Sequence, residues 1–190
     1  LISFSLMKVR PYRLAQQELG ENIVQVADYL RLKAKFYDLN NDPEENYLRL
    51  IEKQVSVNEH QENVRDILFQ SKRSIKDTTR EGRFLTLIFN ELVELFEQSM
   101  TTHYDYTEIR RKYDQSGILE EIKILIDKIA HELDNIAYKI NANKRPYPLY
   151  QFDKEIDKLR LLIDVYDRSS QENSIPLKKI VINIRTIIKH

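Results

Sequence analysis

The sequence predicts an all-α protein, an up-and-down bundle of about five long helices followed by a basic terminal helix. Three observations carry that expectation. Only three glycines and five prolines occur in 190 residues, far too few for a turn-rich β fold. Charged residues make up 32% of the chain, and Leu, Ile, Lys and Glu, which lose little freedom in a helix, are abundant. Apolar residues recur at three- and four-residue steps over long stretches bounded by capping residues and prolines. A chain of this length buries a core without staples. Cysteine is absent, which excludes a disulfide framework, thiolate metal ligation and a thiol nucleophile.

Pro11 opens the first predicted helix, in which Leu14, Leu19, Ile23, Val26, Leu30 and Ala34 share a face interrupted only by Gly20. Asp42 is a capping residue and Pro43 a first helical residue, with Glu44 and Glu45 complementing the positive helix end. The second helix therefore starts at Pro43. Its expected core positions are Leu48, Ile51, Val55, Val64, Ile67, Leu68 and Ile75, with a polar stretch at 58–63 that runs exposed or bends, and an end near Asp77. Residues 84–100 are apolar on more than one face, through Phe84, Leu85, Leu87, Ile88, Phe89, Leu92 and Val93 among others, so this third helix is expected at the centre. A loop and a turn or two of helix follow to Tyr113. Ser116 caps a helix carrying Leu119, Ile122, Leu125, Ile126, Ile129 and Leu133, stopped by Asn141, Asn143 and Pro146. After a stiff Pro146-Tyr147-Pro148 connector, Ile156, Leu159, Leu162, Ile163 and Tyr166 mark another amphipathic helix, and Pro176 opens the last, basic one.

Charge is unevenly placed. No acidic residue precedes Glu18 or follows Glu172, while Lys8, Arg10 and Arg13 at one end and Lys178, Lys179, Arg185 and Lys189 at the other are positive. With those seven set aside, 30 Lys+Arg fall to 23 against 30 Asp+Glu, so a chain of zero formal net charge is an acidic body with two basic apolar ends. Lys and Arg are retained on the cytoplasmic side of a bilayer. The expected organisation is a membrane-proximal basic segment at 1–13, a cytoplasmic helical bundle at 14–172 and a membrane-proximal basic helix at 173–190. The same ends also fit a terminal helix that folds back on the bundle or joins two copies. No apolar run approaches the roughly 20 residues that span a bilayer, and the start lacks the pattern of a signal peptide. The absence of an initiating Met suits a fragment of a larger membrane protein. An acidic body argues against nucleic acid as a partner.

Motifs for chemistry are sparse. The residues three before His60, His103, His131 and His190 are Val57, Met100, Lys128 and Ile187, so no Glu-x-x-His pair of a di-metal bundle exists. His131-Glu132 begins like a zinc-protease helix, but Asn135 stands where the second ligand belongs. Asp38, Asn40 and Asp42 begin like a calcium loop, but Pro43 replaces the glycine and Arg49 the closing Glu. His103 and Asp105 are the one polar-site candidate. Their stronger reading is structural, with the tyrosines packed and Asp105 capping the next turn. Catalytic residues, cofactors and metals are therefore expected to be none.

The ordered signatures of the chain resemble the fusaric-acid-resistance-like family of bacterial inner-membrane proteins, in its YccS and YhfK branch. They are Arg10-Pro11 after an apolar end, the run from Ala27 through Tyr29, Lys33 and Tyr37 to Asp38, Gln61 to Arg65 with Arg73, Glu91 to Glu97, and Thr102-His103-Tyr104-Asp105-Tyr106. The resemblance implies a non-enzymatic cytoplasmic domain of a transporter or efflux protein, flanked by transmembrane bundles outside this chain, with an assembly, gating or partner-binding role. The implied partners are those bundles, the membrane surface at both ends and, in an assembly role, a second copy of the chain. The alternative is a free-standing helical adaptor that binds another protein through residues 84–96 or the last helix.

Overall fold

The computed structural model describes residues 11–70, 80–102, 104–170 and 173–190. Among them are seven α-helices and no strand: α1 (Pro11–Lys35), α2 (Pro43–Arg65), α3 (Arg80–Met100), α4 (Tyr106–Tyr113), α5 (Ile118–Asn141), α6 (Phe152–Ser169) and α7 (Ile175–Ile188). The count exceeds five long helices and a terminal one because the turn or two of helix expected before Tyr113 is the eight-residue α4. A π-helical segment, Asp66–Gln70, continues α2, and a 3-10 turn, Asp114–Ser116, leads into α5. Arg73, Ile75 and Asp77, named above for the second helix, lie outside the described residues.

Local signals set the helix starts. The Asp42 carboxylate accepts the Glu44 N–H at 2.9 Å, and Pro43 follows in the first turn of α2. Asp105 caps α4 by accepting the Glu108 N–H at 2.9 Å. Ahead of α5, Ser116 Oγ accepts the Ile118 N–H at 3.1 Å, while Gly117 supplies the left-handed residue of the turn with φ 70°.

The centre of the bundle is α1, not α3. It packs along its length on α5, then on α2, and less extensively on α3. Its inventory explains the position. Ala15, Gly20, Ala27 and Ala34 are small and buried, so neighbours can close on several sides at once. At Gly20 a Cβ would come within 2.5 Å of the Asn141 amide of α5. Two polar residues of α1 reach α5: Gln16 donates to the Ile140 carbonyl, and Arg31 bridges Asp134 of α5 and Asp28 of α1 (3.0 Å). By contrast Phe84 and Leu87 of α3, expected inside, are exposed, Leu87 to 58%.

Helix α2 also departs from expectation. Leu48, Ile51 and Val55 are 63%, 43% and 53% exposed, whereas Val57, Gln61, Val64 and Leu68 form the buried stripe. The polar stretch at 58–63 runs largely exposed, as expected, through Asn58, Glu59, Glu62 and Asn63, while Gln61 turns inward and joins the buried stripe. The cause is the polar face of α1. Gln25 Oε1 accepts from Lys53 at 2.9 Å and Ser56 at 3.1 Å, and Asn46 donates to the Leu32 carbonyl at 3.0 Å. These bonds rotate α2 so that Tyr47, Leu48, Ile51 and Val55 face outward.

The helices alternate in direction. Gln16 meets Ile140 and Asp38 meets Lys123 (3.1 Å), so α1 and α5 are antiparallel. The Lys128–Glu155 (2.6 Å) and Glu121–Lys158 (2.7 Å) pairs do the same for α5–α6, and the Lys178–Asp167 pair (2.5 Å), which joins the end of α6 to the start of α7 across a short connection, turns α7 back along α6. Thus α1, α3 and α6 run away from one pole of the bundle, and α2, α5 and α7 run toward it. The last helix lies in the bundle, with Leu177, Ile180, Val181, Ile184 and Ile187 buried in the common core. At the far end, Phe36 stacks on Tyr106 (4.4 Å), with Tyr37 and Tyr104 edge-on to the same ring.

Two buried polar groups lead to stability predictions. Asn22 of α1 is 0% exposed and neither atom of its amide has a hydrogen-bond partner. Because an unmet buried amide costs roughly 1–3 kcal/mol, Asn22→Leu is expected to raise the midpoint of thermal unfolding. A lowered midpoint contradicts this account and assigns Asn22 an internal water.

Lys33 is the second. Its ammonium caps the C-terminal end of α3, donating to Ser99 O (2.6 Å), Thr102 O (3.1 Å) and Thr102 Oγ1 (3.1 Å). Burial lowers its pKa from 10.5 to about 8. Between those values the unfolded chain binds more protons than the folded one, so stability rises with pH, whereas below about 8 the full cost of burying the charge is present. Above the ordinary phenol value of 10.0 the slope reverses, because burial pushes Tyr29 up to about 12 and raises Tyr37 and Tyr106 too. Denaturant titrations from pH 8 to 9.5 are expected to show wild type gaining on Lys33→Met by a slope approaching about 1.4 kcal/mol per pH unit. A pH-independent difference refutes the assignment.

Candidate functional site

The pole where α1 begins is built from three segments distant in sequence: the first turns of α1, the first turns of α3 and the connection after α5. The end of α5 shapes it. Asn143 has a left-handed φ of 54°, the Asn143 N–H bonds Ile140 O (2.9 Å) and the Lys144 N–H bonds Lys139 O (2.8 Å). This paired closure satisfies the last carbonyls and reverses the chain, delivering Lys144 and Arg145 to a cavity they share with Tyr12 and Gln16 of α1 and Arg80 of α3. Arg13 and Arg83 stand exposed on the same turns. Against these cations the cavity has one acid, Glu81. Burial, and to a lesser degree the Glu81 charge, raise the pKa of the Tyr12 hydroxyl, which keeps it protonated and able to donate.

The connection itself is pinned to the surface of α5. His131 Nδ1 lies 2.6 Å from the Tyr150 hydroxyl, Glu132 accepts the Leu149 N–H at 2.8 Å, and Asn135 donates to Tyr147 O at 3.2 Å. The His-Glu pair that resembles a zinc helix therefore holds a loop. Asp38 and Asp42 of the calcium-like run are likewise engaged. The Asn40 N–H bonds Asp38 at 3.0 Å and, with Lys123, holds its carboxyl below the usual range, while Asp42 caps α2.

The structure divides the basic residues noted in the sequence. Arg13 is exposed at the pole, and Arg185 and Lys189 are exposed on the half of α7 that approaches it. Lys178 and Lys179 are exposed at the other end of α7, and Lys178 pairs with Asp167, whose pKa it lowers. Lys8, Arg10 and His103 lie outside the described residues. Asp105 is the cap of α4. His190, at the end of α7, reaches Glu91 (3.4 Å) and Glu94 (3.3 Å) of α3, three groups close enough to share a cation. Sequence spacing could not find that trio, since its histidine comes from another helix. Nor could it find Arg80, Lys144 and Arg145 as a set. The available signal was modest, a Gly-poor helix end at Asn143 followed by two cations and a proline.

Because Asn143 is the only described non-glycine residue in the left-handed region, a β-branched side chain there is expected to cost about 1–2 kcal/mol. Asn143→Val should lower the unfolding midpoint while Asn143→Gly leaves it near wild type. Equal melting of the two variants rules out this role for the turn.

Among the described residues no helix is long and apolar enough to cross a membrane. The family model described as FUSC-like inner membrane protein yccS matches residues 1–190. An uncharacterized protein from Haemophilus influenzae is 23% identical over 186 residues, covering 93% of this chain and 25% of the relative. The chain thus spans about a quarter of that relative's length. No solved structure matches.

Proposed function

Because the chain belongs to the FUSC-like family of inner membrane proteins, we propose that it acts as a non-enzymatic cytoplasmic helical domain of a transporter-type protein, set between membrane-embedded parts. The observation that carries this reading is the shared pole. Helix α1 starts there, and α7 returns toward it until His190 lines a cavity together with Arg145 and Pro146 of the pole. A domain joined at both ends to one bilayer needs its two ends on one side. Arg13, Arg80, Arg83, Lys144 and Arg145 supply the positive charge that is retained next to the cytoplasmic leaflet.

The role of such a domain is assembly, gating or partner contact. The outward face of α2 supports it, since Tyr47, Leu48, Ile51 and Val55 form an exposed apolar stripe away from the pole. In the last helix Ile180, Ile184 and Ile187 are committed to the core, which leaves Ile175 and Ile182 as the exposed apolar residues an adaptor could use there.

Sidedness is directly testable. The chain has no cysteine, and Tyr147 at the pole is exposed. Tyr147→Cys in an otherwise cysteine-free membrane protein carrying this chain should resist a membrane-impermeant maleimide in intact spheroplasts and react after permeabilisation. Full labelling in intact spheroplasts overturns the cytoplasmic placement.

A further inference from the structure

Two cavities meet at the pole, and their chemistry differs. The polar one, about 310 Å³, is bordered by Arg80, Lys144 and Arg145. The apolar one, about 400 Å³, runs between α3 and α5 over Ile23, with Ile88, Leu92, Leu133 and Ile136 in its walls. Phe84 and Arg145 line both, so they form one depression with a cationic mouth and an apolar arm. Each part is within the size range of small-molecule sites.

Neither half accounts for the other. The three cations of the mouth make no ion pair among the described residues, and Glu81 beside them offsets a single charge. The arm lies open along α3, where Leu87 is exposed at its rim. Its ionisable groups besides Arg145 are Glu91 and His190, which face each other at 3.4 Å. A free anion would engage the mouth and leave the arm wet, while a neutral amphiphile would fill the arm and leave the cations unanswered. An occupant that answers both carries a phosphate, which arginine holds in a two-pronged grip and lysine as a point charge, attached to a hydrocarbon chain.

We propose that this depression binds one anionic phospholipid, with its phosphate among Arg80, Lys144 and Arg145 and an acyl chain along the arm between α3 and α5. The proposal goes beyond the topological reading and stands without it, because a monomeric lipid in solution can enter the site whichever way the pole faces.

The 190-residue chain should be titrated with lysophosphatidylglycerol and, separately, lysophosphatidylcholine, both below their micelle concentrations, with adducts counted by native mass spectrometry. The expected result is a saturable one-to-one adduct with the anionic lipid, at least roughly tenfold tighter than with the zwitterionic one. Arg145→Glu and Leu87→Gln, both at exposed positions, should each weaken it by about tenfold or more while thermal melts remain those of a folded protein. Equal binding of the two lipids, indifference to both substitutions, or complete displacement by inorganic phosphate overturns the proposal. So does the absence of any adduct, the outcome expected if a chain segment or a second copy covers the groove.

Discussion

The broad buried face of α1, which leaves only the stripe of Arg13, Leu14, Gln17, Glu21 and Val24 exposed, is the constraint from which the remainder of the architecture follows. The buried face of α1 carries not only Leu19, Ile23, Val26 and Leu30 but also Gln16 and Lys33 among them. Each polar side chain then needs a partner from a neighbour, and the partners set registers. Gln16 fixes the end of α5 through Ile140, Gln25 holds α2 through Lys53 and Ser56, and Lys33 holds the end of α3 through Ser99 and Thr102. Buried polar bonds of this kind add little net stability, yet leaving them unmade is costly. Their effect is to exclude slipped arrangements.

That constraint also creates the two unusual surfaces. Because α2 docks through Asn46, Gln61 and its bonds to Gln25, its Tyr47–Val55 side stays exposed, with Tyr47 and Ile51 bordering an open groove toward Met100 and Tyr106. Because α5 lies so close to α1 that Gly20 meets the Asn141 amide, its last turn closes directly over the α1 start, and the reversal at Asn143 sends Lys144 and Arg145 onto the pole. The polar pole and the apolar stripe are thus consequences of how a central helix with a mixed surface is satisfied. A uniformly apolar α1 would impose neither.

Much of the chain was legible before any packing was known. Asp42-Pro43, Asp105 and Ser116 mark helix starts through bonds reaching only two or three residues, and all three make them. The apolar face of α5 and the alternation of helix directions follow from periodicity and short connections. Two inferences failed for related reasons. Residues 84–100 are apolar on more than one face, but apolarity alone did not place that helix at the centre, since Phe84 and Leu87 instead border a groove. Leu48, Ile51 and Val55 have helical spacing, but a helix with apolar residues on two faces can bury either, and polar partners on α1 decided which.

The candidate site was the least legible part. The basic ends were visible as composition, but Arg80 belongs to α3 and Lys144 and Arg145 to a loop, so their convergence with Tyr12 is written in no local pattern. What the sequence by itself determined is the set of helices, their caps and their polar-apolar rhythm, because those depend on interactions within a few residues along the chain. Which helix is enclosed, which apolar face stays bare and which cations share a pole were decided only by the tertiary structure. Those outcomes depend on competition among all the faces for the same neighbours, and in particular on where the buried polar groups of α1 find their partners.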